Sequence, residues 1–306
     1  MKNNKRIVIC ILLIVIMILV VVGCIVAYLY FTHAWEKKDK NQDPIFTMEN
    51  YPKIDGSTAT LPLAQAYKSA FTGTSIENVD VTHSKTHNAY VNLINKKSDL
   101  ILVTYPSEEE QQLAKDAGVE LEIVPVAKEA FVFFVNKENS IDNLTLNQIQ
   151  DIYSGKVTNW KEVGGTDAQI LAYQRPQNSG SQSGMLSLVM QGIKMKEPEK
   201  ETVAQSMVDI VDVVSDYQNK ENAIGYSYYY YITTMYSKDK IKLLSVNGIE
   251  PTYDNIKTGL YNIQTAYYAV IRKDEPENSD ARKLLNAMKS SNGQNIAKEA
   301  GYVQNY

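Results

Sequence analysis

The chain has 306 residues, 44% hydrophobic and 22% charged, enough for one large or two medium domains. Three cations stand within the first six residues, and the remainder carries 28 Lys and Arg against 35 Asp and Glu. So acidic a body argues against nucleic acid as a partner. Any anion held here must be held by local dipoles and one or two cations, not by a basic field.

Lys2, Lys5 and Arg6 precede an uninterrupted apolar run over residues 7–31. As a helix that run would cover about 37 Å, more than the roughly 30 Å hydrocarbon core of a bilayer, with the basic flank retained in the cytoplasm. A second reading fits the same residues. Val21-Val22-Gly23-Cys24 resembles a bacterial lipobox, which would make Cys24 a lipidated N-terminus, although residues 25–31 stay apolar where a polar tether usually follows. Both readings place the rest of the chain outside the cell and tethered. Cys10 and Cys24 are the chain's two cysteines, so the exported part has no disulfide, no thiol nucleophile and no cysteine metal site. We therefore expect an anchor over 1–32 and a polar stalk over 33–50.

From Tyr51 onward short apolar runs alternate with amphipathic stretches. Small, hydroxyl-rich Asp55-Gly56-Ser57-Thr58-Ala59-Thr60-Leu61-Pro62 leads into a helix through Leu63 and Ala70. Asp99-Leu100-Ile101-Leu102-Val103 reads as a buried strand, ended by Thr104-Tyr105-Pro106; Ser107 and Glu110 form a capping box for the next helix, which Gly118 stops. Residues 130–135 (AFVFFV) form another buried strand. Thr145 and Gln148 open a helix that Gly155 ends, and 197–214 is helical in composition. Residues 223–226 begin a strand or turn, 267–271 form a late strand, and 280–300 carry two closing helices. Strands separated by helices predict parallel sheets with ligands at the carboxyl ends of the strands.

Two loops carry the chemistry. Helix N-termini present unpaired N–H groups and a positive dipole end, so 55–62 is a candidate anion cradle, with Thr58, Ala59 and Thr60 at its helix start. Ser or Thr at such a position is in most proteins an ordinary N-cap. The second loop, Arg175-Pro176-Gln177-Asn178-Ser179-Gly180-Ser181, is stronger, because Arg175 adds a bidentate donor suited to tetrahedral oxyanions. His83 and His87 stand at i,i+4, a spacing that can hold zinc, but no acidic or cysteine motif accompanies them and surface or supporting histidines are commoner. The run Tyr226-Ser227-Tyr228-Tyr229-Tyr230-Tyr231 could stack on a ligand, yet more often packs a sheet. Nothing resembles a nucleophile elbow.

Across about 51–302 the chain resembles the phosphate-binding proteins that feed the high-affinity phosphate ABC transporter, members of the type II periplasmic-binding superfamily. The matching stretches are 55–62, 99–106, 144–165 (LTLNQIQDIYSGKVTNWKEVGG), 175–181, 223–226 and 251–261. The resemblance implies two α/β lobes joined by two crossover strands, lobe I being 51–126 with 262–306 and lobe II 127–261. Phosphate would lie in the cleft, with an ABC permease as partner, no cofactor, no catalysis and a monomeric chain.

Carried over by motif, the first loop falls on Ser57, Thr58, Ala59, Thr60 and Leu61. The serine of a second loop falls on Thr86, and the arginine loop on Arg175, Ser179, Gly180 and Ser181. Two departures stand out. Ser84-Lys85-Thr86-His87-Asn88 replaces a glycine-rich stretch, and Thr104 replaces the carboxylate that accepts the proton of hydrogen phosphate. Phosphate, sulfate and related oxyanions all stay open as ligands, as do transport and sensing. A phosphatase-like enzyme on this fold is the remaining alternative.

Overall fold

The computed structural model describes residues 21–22, 44–177, 179–216, 221–236 and 239–305. Residues 1–45 and 46–306 are two separate compact units. Apart from Val21 and Val22, the expected anchor, with Cys24, and most of the stalk lie outside the described residues. Among the described residues, no helix is long and apolar enough to cross a membrane.

The second unit is built on β1 (Ile54–Gly56), β2 (Leu100–Val103), β3 (Leu121–Asn136), β4 (Asn143–Leu144), β5 (Leu171–Ala172), β6 (Ala223–Tyr228), β7 (Ile241–Leu243), β8 (Ser245–Val246), β9 (Gln264–Arg272) and β10 (Val303–Gln304). The main sheet runs β1-β2-β9-β3-β6-β5, with β10 and β7 also on β3, while β4 and β8 pair separately. The expectation of purely parallel sheets needs correction. β1–β2 and β5–β6 are parallel, but β9 is antiparallel to β2 and to β3, and β6 to β3. The chain leaves one half of the sheet through β3 and comes back through β9, so the two central strands run in opposite directions.

β3 is the fold's crossing point. Its residues Leu121 to Ala130 pair with β9, and Phe131 to Val135 pair with β6. The exchange of partners falls between Ala130 and Phe131, where the Phe131 N–H also donates to Ile263 O at 2.9 Å. This strand is far longer than the apolar run at 130–135. Its first half is amphipathic, holds Pro125, and is irregular between Pro125 and Ala127. A proline at a bulge interrupts the alternation by which a strand is read.

Both apolar runs are buried on both faces: Leu100 to Val103 and Phe131 to Val135 have no solvent exposure. Helix Leu61–Thr72 buries Leu63, Ala64, Tyr67 and Phe71 on one stripe. On the other side of β2, Ala89, Tyr90 and Leu93 pack with Ile101, Val103 and Val270. The capping boxes of Ser107/Glu110 and Thr145/Gln148 both form, and Gly155 closes its helix at φ 81°. The helix expected over 197–214 is confined to Met207–Ser215, capped by Ser206, after a single 3-10 turn at Lys200–Thr202. Between them Val203 bridges to Gln174: Gln174 N donates to Thr202 O and Ala204 N to Gln174 O, both at 2.9 Å. Sheet pairing beside Pro198 thus overrides helical composition.

Candidate functional site

β1 delivers the first loop. Gly56 is required there, since a Cβ would stand 2.3 Å from Leu102 O and 2.7 Å from the His83 ring. Ser57 donates its N–H to Leu102 O at 2.9 Å, and a 3-10 turn, Thr58–Thr60, then runs into helix Leu61–Thr72 with a proline in its first turn. Thr58 is exposed at the mouth of the loop, while Ser57, Ala59 and Thr60 are buried.

Thr60 departs from its expected role as a hydroxyl donor to ligand. Its hydroxyl hydrogen goes to Leu102 O at 2.6 Å and its N–H to Ser57 O at 3.2 Å. Half-buried Leu61 closes its own N–H onto Thr58 O. Thr60 and Leu61 shape the loop, and the first-turn N–H groups of Thr58 and Ala59 are the ones without an intrahelical acceptor.

Two residues outside the expected ligand set, Asp55 and His83, hold this loop in place. The His83 Nδ1 lies 2.8 Å from Ser57 O, the geometry of a donating Nδ1–H. Burial pushes the pKa of His83 down, opposed by the Ser57 carbonyl and Asp55. The buried Asp55 carboxylate accepts from Gly56 N (2.7 Å), Ser84 N (2.7 Å), Ser84 Oγ (2.6 Å) and Asn92 Nδ2 (2.8 Å). Burial alone would raise its pKa, but those hydrogen bonds win and hold it below the usual carboxylate range. His83 and His87 do not share a helix face, because that helix starts at Thr86. His87 instead meets Glu110, Nδ1 to Oε1 3.3 Å.

The second loop ends in Ser179, whose hydroxyl accepts from Gln182 N at 3.2 Å and caps helix Gly180–Gly184, continued by a π-helical turn over Met185–Met190. Arg175 is buried. Its N–H reaches Gln182 Oε1 (3.1 Å) and Tyr226 OH (3.0 Å), and its Nη1 donates to Ala204 O at 3.3 Å. The Tyr226 hydroxyl in turn donates to Gln182 Oε1 in a short contact. Burial pushes the pKa of Arg175 down, while Tyr226, Asp209 and Tyr231 oppose that shift.

The arginine loop meets Thr86 and Thr104 at Gly180. A Cβ there would stand 2.7 Å from Thr86 Oγ1 and 3.0 Å from Thr104 Oγ1, so residues from three separate motifs converge on one glycine. Around this point Thr104 Oγ1, Ser181 Oγ and Arg175 Nε are each buried without a hydrogen-bond partner. Thr104 lies beside the Tyr228 hydroxyl, whose own hydrogen goes to Gly180 O at 2.8 Å. Three buried unpaired groups are costly unless something satisfies them. Each of the three can donate. Such a set suits an oxyanion.

Residues 49–287 match the family model of the PBP superfamily domain. The chain belongs to the PBP superfamily. Among similar proteins, the phosphate-binding protein PstS of Bacillus subtilis is 29% identical over 64% of this chain, a match spanning 61% of that protein's length. The PstS of Staphylococcus saprophyticus is 27% identical over 83% of this chain and 80% of its own. Among solved structures, a Clostridium perfringens chain described as a phosphate ABC transporter substrate-binding protein with bound phosphate has a TM-score of 0.66 and 27% identity, covering 83% of this chain and 98% of that one. A phosphate transport receptor from Vibrio cholerae, at 23% identity and TM-score 0.63, covers 82% of this chain and 98% of that one, and supports the fold. The two-lobe PBP architecture follows.

Proposed function

We propose that this chain is an extracytoplasmic solute-binding protein that captures inorganic phosphate between its lobes and passes it to an ABC permease. The observation that carries the reading is the convergence of Thr86, Thr104 and Gly180 beside the unpaired donors of Thr104, Ser181 and Arg175. Its relatives are named as phosphate-binding proteins, and the C. perfringens neighbour holds phosphate. Arg175 supplies the fixed charge; Thr58, Thr86, Ser179 and Ser181 supply hydroxyls; and the N–H groups of Ala59, Gly180 and Ser181 supply dipole ends. Binding makes and breaks no covalent bond. Lobe I comprises 51–126 and 262–306, lobe II 127–261, and hinge closure over the anion is the conformational event. The chain acts as a monomer held at the membrane by residues 1–32, either as an uncleaved helix or through lipid on Cys24. Mass spectrometry of the intact N-terminus separates those two.

A specific observation keeps a second ligand in view. Thr104 can donate as well as accept, so nothing at that position penalises an anion with no proton to give. Titration calorimetry of the full chain in detergent against phosphate, sulfate and arsenate between pH 5 and 8 decides. Binding of phosphate supports the reading, silence with phosphate removes it, and tighter binding of sulfate reassigns the ligand.

A further inference from the structure

The run of tyrosines and the hinge strand meet at a single carboxyl group. Glu129 lies on β3, two residues before that strand changes partner, and is 1% exposed. Its Oε1 accepts from Ala130 N at 2.8 Å and from Tyr230 N at 3.3 Å. The titratable groups facing it are tyrosines: Tyr228, Tyr229 and Tyr230 from β6 and the turn after it, Tyr267 from β9, and Tyr302 from the segment before β10. Of the charged residues on the helices packed against β3, Asp212, Asp254, Lys257, Lys298 and Glu299 are exposed and Asp209 is half-buried. Lys128, next to Glu129 on the strand, sends its ammonium to Lys257 O at 2.9 Å.

Two of these tyrosines hold the anion loops directly. The Tyr302 hydroxyl donates to Ala59 O at 2.7 Å, and the Tyr228 hydroxyl to Gly180 O at 2.8 Å. Between them stands Tyr267, its ring centroid 5.7 Å from Tyr302 and 6.0 Å from Tyr228. Tyr230 stacks on Tyr302 at 3.6 Å and donates to Ala300 O at 3.0 Å. The buried carboxyl therefore sits beneath a chain of rings that grips one carbonyl in each loop.

We propose that Glu129 is a positioning residue for the oxyanion cleft, holding the tyrosines that set both anion loops and taking a proton from solvent when an anion enters. The inference rests on the oxyanion reading above. An anion one tyrosine away from Glu129 repels its charged form through a low-dielectric medium, and the neutral carboxylic acid relieves that repulsion. Burial already pushes the carboxyl up to about 7, with the backbone N–H groups of Ala130, Tyr230 and Tyr229 and the Tyr267 hydroxyl opposing the shift. Near neutrality the group is thus poised between its two states, and a modest added repulsion moves protons.

The test is calorimetry of the full chain in detergent with inorganic phosphate at pH 6, 7 and 8, in buffers of different ionisation enthalpy. Wild type is compared with Glu129→Gln, so that the ligand's own titration cancels. At pH 7 the wild type should take up as much as about half a proton more than the variant. For a one-unit upward shift on binding, its affinity should fall about fivefold more between pH 6 and pH 8. Equal proton uptake and parallel pH profiles, with both proteins binding phosphate, overturn the inference and leave the oxyanion reading standing. No binding by wild type removes both. A purely structural role would weaken affinity in Glu129→Gln at every pH without changing the slope, and that result also overturns it. Should Glu129→Gln lack a cooperative melt, Tyr302→Phe and Tyr228→Phe carry the test, each deleting one hydroxyl. Each should weaken phosphate binding about tenfold and reduce the proton uptake, and unchanged values in both would refute the proposal.

Discussion

At Gly180 the absence of a side chain is itself the specification, because a methyl group there would meet Thr86 Oγ1 and Thr104 Oγ1 inside van der Waals contact. Gly180→Ala should weaken phosphate binding between about fivefold and a hundredfold by calorimetry, the equivalent of about 1–3 kcal/mol of overpacking. Glu129 makes the complementary prediction for stability. Its folded-state pKa lies above the unfolded value, at about 7, so its contribution is present in acid and lost as pH rises through neutrality. By denaturant titration, wild type should lose about 3 kcal/mol relative to Glu129→Gln between pH 4 and pH 8. The amide keeps the acceptor for Ala130 N and Tyr230 N while shedding the charge. The threonines that face Gly180 and the tyrosines that face Glu129 are distant in sequence, which singles out Gly180 by its motif and leaves Glu129 unmarked.

At the level of elements, the first loop owes its form to backbone approach more than to its hydroxyls. β1 and β2 run parallel, and Leu102 O receives both Ser57 N and the Thr60 hydroxyl. That carbonyl lies where a Gly56 Cβ would go, so Gly56→Ala should destabilise the fold by about 2 kcal/mol or more in urea titration. Several helix ends were legible: Ser107, Thr145 and Gly155 cap where short-range rules put caps. β3 and the 197–214 region were not. In each, a proline and pairing with a distant strand outweighed local pattern, as with Val203 against Gln174.

For the molecule as a whole, two passages of the chain between sheet halves allow lobes to move about β3 and β9 while each keeps its own packing. A ligand that binds the closed form stabilises it by mass action. Phosphate at a hundredfold excess over its dissociation constant should therefore add about 2.7 kcal/mol to folding stability, seen as a concentration-dependent rise in melting temperature. Small-angle scattering should show a smaller radius of gyration in the same titration. An unchanged radius with a raised melting temperature would mean binding without closure.

The sequence by itself determined the acidic balance, the cysteine-free body, several helix caps, the buried strands and the residues of both candidate anion loops. These follow from periodicity, capping and motif, which act over a few residues. Tertiary structure alone decided that Thr86, Thr104 and Gly180 meet, that Thr60 spends its hydroxyl on Leu102, and that Asp55 and His83 fasten the first loop. It also set Glu129 under tyrosines whose hydroxyls reach Ala59 and Gly180. Those contacts join residues up to 243 positions apart, and only the crossing of β3 between sheet halves brings them within a hydrogen bond's reach.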